Sequence, residues 1–495
     1  MNTYTKKERN SYLVGLAGQT VIYGVIMSLA YYFQFTLLIP AMAVSVILTG
    51  NQVWDAFKDP FMGTIMDRTR SKWGKARPWL LFAPLPAGIF TILIFINGIY
   101  GPAQDMTGRN LLIVLWAAAS YFLWGLAYTA GDVPLHSLPA LMTENKGDRT
   151  KLISMKTIAG MSGFFFSIAV QPLALQVGQS FAGGIRGTQQ SERLGFIVVV
   201  IPIALVAAAL FQLAGLFTKE RVALGEKVYS LREIVKVMWR NKPYRAVLLS
   251  TLLASPKAVE GVAMLPFASY YYANKDPGMI VLYAILLSAG SFLGKFFAVK
   301  LTPKLTAKHE KSKLYNFSNL MIAPATLLVF LLYLSAPARM AEPLYLILTA
   351  LAFTIAGTFH GFVNIILPLF VADAVDYEEY HNNSRPDGVF AAGQAMVFKI
   401  DAGISSLIGG AVYSLTGFSG ERVEALNRYI DAGGVARLNP VFRPYMTALF
   451  FLMTVPTVVG SLLSTIPIWN YPLKEKEHAH MLGELNQRRH HFPTE

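Results

Sequence analysis

The stretch WDAFKDPFMGTIMDRTRSKWGKARP, Trp54 to Pro78, decides how this chain is read. Three carboxylates, Asp55, Asp59 and Asp67, stand in or beside an apolar run that begins near Pro40, and five basic residues follow from Arg68 to Arg77. Asp55 and Asp59 are four apart and share a helix face. Two like charges there need a bound cation, a proton or a basic partner. A hard cation takes oxygen ligands, and a carboxylate away from water can hold a proton, so both routes describe coupling-ion chemistry. The plain alternative is a structural pair at a solvated helix end. Lys58 lies between them and is either an internal counter-ion or a side chain turned toward the headgroups.

The rest of the chain explains why carboxylates there are unusual. Of 495 residues, 54% are apolar and only 15% charged, against about 25% charged in a soluble domain. Such a chain cannot cover a water-facing surface and is expected to be a polytopic membrane protein. Cysteine is absent, which excludes disulfides, thiolate zinc sites and a thiol nucleophile. The start, MNTYTKKERN, is polar and shows no cleavable signal.

Apolar stretches long enough to cross a bilayer are expected near 12–38, 40–66, 78–100, 111–138, 152–177 and 194–217. They resume near 246–272, 278–301, 314–336, 344–371, 389–417 and 444–470. The expected organisation is all-α: a six-helix bundle over 1–217, a linker over 218–245, a second six-helix bundle over 246–470 and a tail over 471–495. SLREIVKVMWRN, Ser230 to Asn241, has the spacing of an interfacial helix. With an even number of spans, the loops on the side of the termini hold 29 Lys and Arg and those opposite hold nine. That bias places both termini in the cytoplasm of a cell whose inner or plasma membrane holds the chain. The same loop charge accounts for the net +14 without a nucleic-acid partner.

Ionisable residues inside spans are costly and mark pathways. They are Asp55, Lys58 and Asp59 in the second span, Asp132 and His136 in the fourth, and Lys156 in the fifth. The second half adds Lys257, Glu260, Lys295, His360, Lys399 and Asp401. Lys156 and Lys295 are also placed to snorkel toward the interface.

Three motifs carry a resemblance. WDAFKDPFMGTIMDRTRSKWGKARPW, YTAGDVPLHSLPALMTENKGDRTKL (Tyr128 to Leu152) and FVADAVDYEEYHNNSRPDGVFAAGQAMVFK (Phe370 to Lys399) together resemble the glycoside–pentoside–hexuronide:cation symporter family of the major facilitator superfamily. The resemblance covers both halves. It implies twelve transmembrane helices in two bundles and secondary active symport of a sugar with Na+ or H+ by alternating access. It implies cation binding by Asp55, Asp59 and Thr129, and sugar contact by Asp132 and Lys156. Lys399 would link the halves. No cofactor beyond the coupling ion is implied, and the expected partners are the sugar, the cation and the bilayer around a functional monomer.

The departures from the family pattern matter. Gln19 stands where melibiose carriers have an aspartate. His136 and Asn364 stand at aromatic positions, and Lys58 stands where those carriers have asparagine. Gln19, His136, Asn364 and Gln394 join the sugar-site candidates. The cavity becomes less acidic and less aromatic, a lean toward a hexuronide. His136 and Asn364 have a second reading as packing between helices. Gly63 is expected to permit close helix approach. Asp67 is expected to anchor the basic loop. A cytoplasmic gate would pair Arg68, Arg70, Lys75 or Arg77 with Asp373, Asp376, Glu378 or Glu379.

Three rivals stay open. A membrane enzyme lacks any GxxxxGK[ST], HExxH or GxSxG motif here. A lipid or lysolipid carrier of the same fold would suit an apolar cavity, whereas Gln19, Asp132, Asn364, Gln394 and Lys399 suit a sugar. A sensor that binds sugar without moving it is the third.

Overall fold

The computed structural model describes residues 4–96, 111–143, 145–181, 189–221, 231–383, 387–416 and 419–491. All regular structure among them is helical. Among the described residues eight helices are long and apolar enough to cross a membrane, or nine if the bent pair Lys242–Leu253 and Ser255–Tyr272 counts as one span. The Ala41–Arg68 and Lys146–Phe181 helices occupy the expected second and fifth places. Arg77–Phe82 and Pro84–Phe95 share the third, broken at prolines that lack an N–H.

Helix ends follow from local chemistry. Thr5 and Glu8 form a reciprocal capping box that starts the first helix at Lys6, ahead of its apolar run. Residues Tyr32–Thr36 and Phe267–Tyr272 are π-helical. The expected loop at 372–388 is instead largely helix. Pro343–Asn382 runs through the third motif and stops at Asn383, which adopts the left-handed conformation (φ 48°). Asp373, Asp376, Tyr377 and Tyr380 repeat at three- and four-residue spacing, so a polar segment continues the helix with one face packed. Gly420–Asp431 and Glu475–His491 are further helices that hydropathy did not signal. The linker helix is present at Leu231–Arg240.

The chain divides into two compact units, each built from more than one stretch of sequence. One comprises Met1–Val228 with Ser269–Val281 and Tyr413–Phe442. The other comprises Tyr229–Ala268, Leu282–Val412 and Arg443–Glu495. In the first unit the Lys6–Ile26 helix packs on Lys146–Phe181 and Gln189–Phe217. A Cβ on Gly24 would come within 2.3 Å of the Gly163 carbonyl oxygen, so two glycines set that helix spacing. Tyr31, Phe35, Tyr270 and Tyr413 form one buried aromatic cluster in this unit, with Phe35–Tyr270 centroids 5.2 Å apart. Beside it Lys275 Nζ lies 3.1 Å from Glu192 Oε2, both side chains buried, and Thr36 donates to Glu192 Oε1 at 3.0 Å. Thus segments that follow the linker in sequence are built into the first unit by apolar and ionic contact.

In the second unit Tyr315, Phe362, Ile366, Phe370, Tyr471 and Leu473 share a core. A second core joins Met238 of the linker helix to Tyr244, Val375 and Phe390.

Candidate functional site

The first unit holds a polar patch on three helices. Asp55, Lys58 and Asp59 lie on Ala41–Arg68, Thr129, Asp132 and His136 on Leu111–Met142, and Gln19 on Lys6–Ile26. Lys58 Nζ is 2.5 Å from Asp55 Oδ1, and the lysine is only 6% exposed. Thr129 donates to Asp59 Oδ1 at 3.2 Å. Gln19 Nε2 donates to Asp132 Oδ1 at 2.5 Å and also to the Tyr128 hydroxyl. His136 Nε2 lies 3.4 Å from Asp132 Oδ1 and is partly exposed. Five of the expected cation- and sugar-site residues therefore engage one another, Thr129 with Asp59 and both Gln19 and His136 with Asp132, while Asp55 meets Lys58. Lys156 is on the Lys146–Phe181 helix, and its side chain lies outside the described residues.

An aromatic wall accompanies the patch. Tyr121, Trp124 and Tyr128 stack along one face, with centroids 5.6 and 4.7 Å apart. Tyr23, half-exposed, lies 6.0 Å from Tyr128. Tyr121, Trp124 and Tyr128 are buried behind the patch, whose charged acceptors can pair with hydroxyl groups. Tyr23, Trp124 and Tyr128 were not among the sequence candidates. The three- and four-residue spacing of Tyr121, Trp124 and Tyr128 was visible, but in a span rich in aromatics it reads as ordinary packing.

Gly125 explains how Lys58 is accommodated. A Cβ at that glycine would sit 2.7 Å from both Lys58 Nζ and Asn51 Oδ1. Gly63, expected to allow close helix approach, instead has no atom within 4 Å of its would-be Cβ. The close approach is instead at Gly125 on the neighbouring helix, opposite Asn51 and Lys58.

The second unit holds the remaining candidates. Gln394 has both side-chain polar atoms buried without a hydrogen bond. Asn364 is exposed, and Lys399 is partly buried with an electrostatic partner. The helix break at Ser255–Ala258 places Lys257 Nζ on Asn319 Oδ1 and lets Ser405 donate to the Ser255 carbonyl at 2.6 Å. Asp401 is near enough to Lys257 to act on it electrostatically.

The expected gate residues have local partners. Asp67 Oδ1 is 2.6 Å from Lys75 Nζ. Glu220 accepts from the backbone N–H groups of Lys75, Ala76 and Arg77 at 2.8–2.9 Å. Arg77 Nε donates to the Gly215 carbonyl at 3.0 Å. In the second unit Lys311 and His478 engage Asp373, His478 Nε2 lies 3.2 Å from Asp376, and Arg240 engages Glu378. Bases from the linker, from the start of the Lys311–Ser335 helix and from the tail are nearer to these acids than their spacing in sequence suggested. The tail histidine thus ties its helix to the Pro343–Asn382 helix. Tyr471, at the start of that tail, has its phenol pushed up by burial, with Asp373 and Glu475 adding to the shift.

Residues 11–474 match the model of the MFS/sugar transport protein family. The chain belongs to that family. It is accordingly a multi-pass membrane transporter of the major facilitator superfamily and not an enzyme, and its motifs place it with the glycoside–pentoside–hexuronide symporters. Among similar proteins, the inner membrane symporter YicJ of Escherichia coli (strain K12) is 27% identical over 415 residues, 83% of each chain. The isoprimeverose transporter of Lactiplantibacillus pentosus is 24% identical, with 93% of this chain and 87% of that one aligned. A glucuronide carrier protein homolog of Escherichia coli (strain K12) is 25% identical, with 94% and 92% aligned. The solved xylose transporter XylE of E. coli, in a partially occluded inward-open conformation, superposes with a TM-score of 0.57 at 12% identity, over 95% of this chain and 98% of that one. That likeness concerns the fold.

Proposed function

We propose that this family member couples uptake of a sugar glycoside, pentoside or hexuronide to a cation, Na+ or H+, by alternating access across twelve spans with cytoplasmic termini. The observation that carries the reading is Asp132, held by Gln19, beside His136 and the Tyr121–Trp124–Tyr128 stack. A carboxylate flanked by an amide and an imidazole accepts from vicinal hydroxyls, and the amide keeps it oriented. His136 gives the site a donor for a uronate carboxylate, with Lys156 and Lys399 as further candidate cations. Relatives named for isoprimeverose and for a glucuronide keep neutral glycosides and uronides both within the class. Asp55, Asp59 and Thr129 form the cation site in this reading. Gln394 and Asn364 serve the sugar from the second half. Asp67, Arg68, Arg77, Asp373 and Asp376 form a cytoplasmic gate whose partners exchange during the cycle. A lipid carrier of the same fold fits less well, because the patch is charged and polar around Asp132.

The test is sugar counterflow in proteoliposomes, comparing glycosides, pentosides and hexuronides. Asp132→Asn is expected to abolish exchange of the substrate that the native chain carries. Exchange of lysolipids with silence from every sugar would overturn the substrate class.

A further inference from the structure

Lys58 occupies the place where a mobile cation would neutralise Asp55. Its Nζ is 2.5 Å from Asp55 Oδ1, and the side chain is 6% exposed. The pocket for it is built from a second helix: Gly125 leaves the space, and Asn51, two turns before Lys58 on its own helix, shares that space. Asp132 on the Leu111–Met142 helix is near enough to act on the ammonium electrostatically. Asp59, the other carboxylate of the pair, is engaged by Thr129 at 3.2 Å. A sodium ion on the same Asp55 oxygen would sit within a few ångström of a fixed positive charge, away from bulk water, where repulsion is weakly screened.

We infer that Lys58 is a tethered cation that replaces sodium at Asp55, so that this transporter is sodium-independent while keeping a latent sodium site under the lysine. The inference rests on the cation-site half of the reading above and not on the sugar.

Purified protein without sugar, in detergent, is melted in sodium chloride and in choline chloride at equal ionic strength. The native chain is expected to show no sodium-specific shift in Tm. Lys58→Asn is expected to show a saturable upward shift with sodium, lost again when Asp55→Asn is added. Lys58→Gln provides the same comparison if the asparagine variant does not fold. A saturable sodium shift in the native chain, abolished by Asp55→Asn, would overturn the inference. So would silence toward sodium in both Lys58 variants, which would mean that no sodium site lies beneath the lysine. Counterflow of sugar does not enter these readouts, so a wrong substrate class leaves them unchanged.

Discussion

At the scale of single residues, the site is governed by what each charge finds within a few ångström. Gly125 is the clearest case, since any side chain there collides with the Lys58 ammonium and Asn51. Gly125→Ala is expected to destabilise the protein by about 1–3 kcal/mol, the usual cost of overpacking. In a Lys58→Asn background the cost should fall, because the shorter amide leaves room. Equilibrium unfolding of the four variants, as a double-mutant cycle, checks this, and equal costs in both backgrounds would contradict it. Gln19 makes a comparable case. Gln19→Glu would set a carboxylate against Asp132 where an amide now donates, so sugar affinity should drop more than with Gln19→Asn. Titration calorimetry with the transported sugar reads that order directly.

Among the elements, the basic hinge after Arg68 is a capping device as much as a patch of charge. Glu220 satisfies three N–H groups at the start of the Arg77–Phe82 helix, and Gly74 (φ 106°) brings the loop so near that a Cβ would meet the Glu220 carboxylate at 2.4 Å. A carboxylate at a helix N-terminus also suits the positive end of the helix dipole. Glu220→Ala is expected to cost about 0.5–2 kcal/mol and to raise trypsin cleavage between Arg68 and Arg77. Limited proteolysis followed by mass spectrometry checks it, and an unchanged cleavage rate would count against the cap. The sequence showed the basic run but not its partner, because Glu220 lies more than 140 residues away, at the other end of the first bundle.

On the scale of the whole molecule, the Glu192–Lys275 pair fixes a late segment to the first unit. Both side chains are almost fully buried. Removing one partner strands a charge, so Glu192→Gln is expected to destabilise by about 3–5 kcal/mol. Replacing both, Glu192→Leu with Lys275→Met, should recover most of the loss, because the pair's mutual attraction is offset by its desolvation. Thermal unfolding of the single and double variants decides between this and a merely local polar contact, for which single and double would be alike. The membrane class and the helical architecture were legible in the sequence because hydropathy and helical spacing are local properties that a bilayer-spanning helix displays. The continuation of the Asp373 helix to Asn382 and the tail helix were not, since polar helices carry no hydropathy signal. Lys58 meets Asp55 within its own helix, but other partners came from tertiary structure alone: His478 against Asp373 and Asp376, and Lys275 against Glu192. Spacing along the chain fixes which face a charge occupies, but the ion it meets is chosen by helix packing, which brings residues tens to hundreds of positions apart within a few ångström.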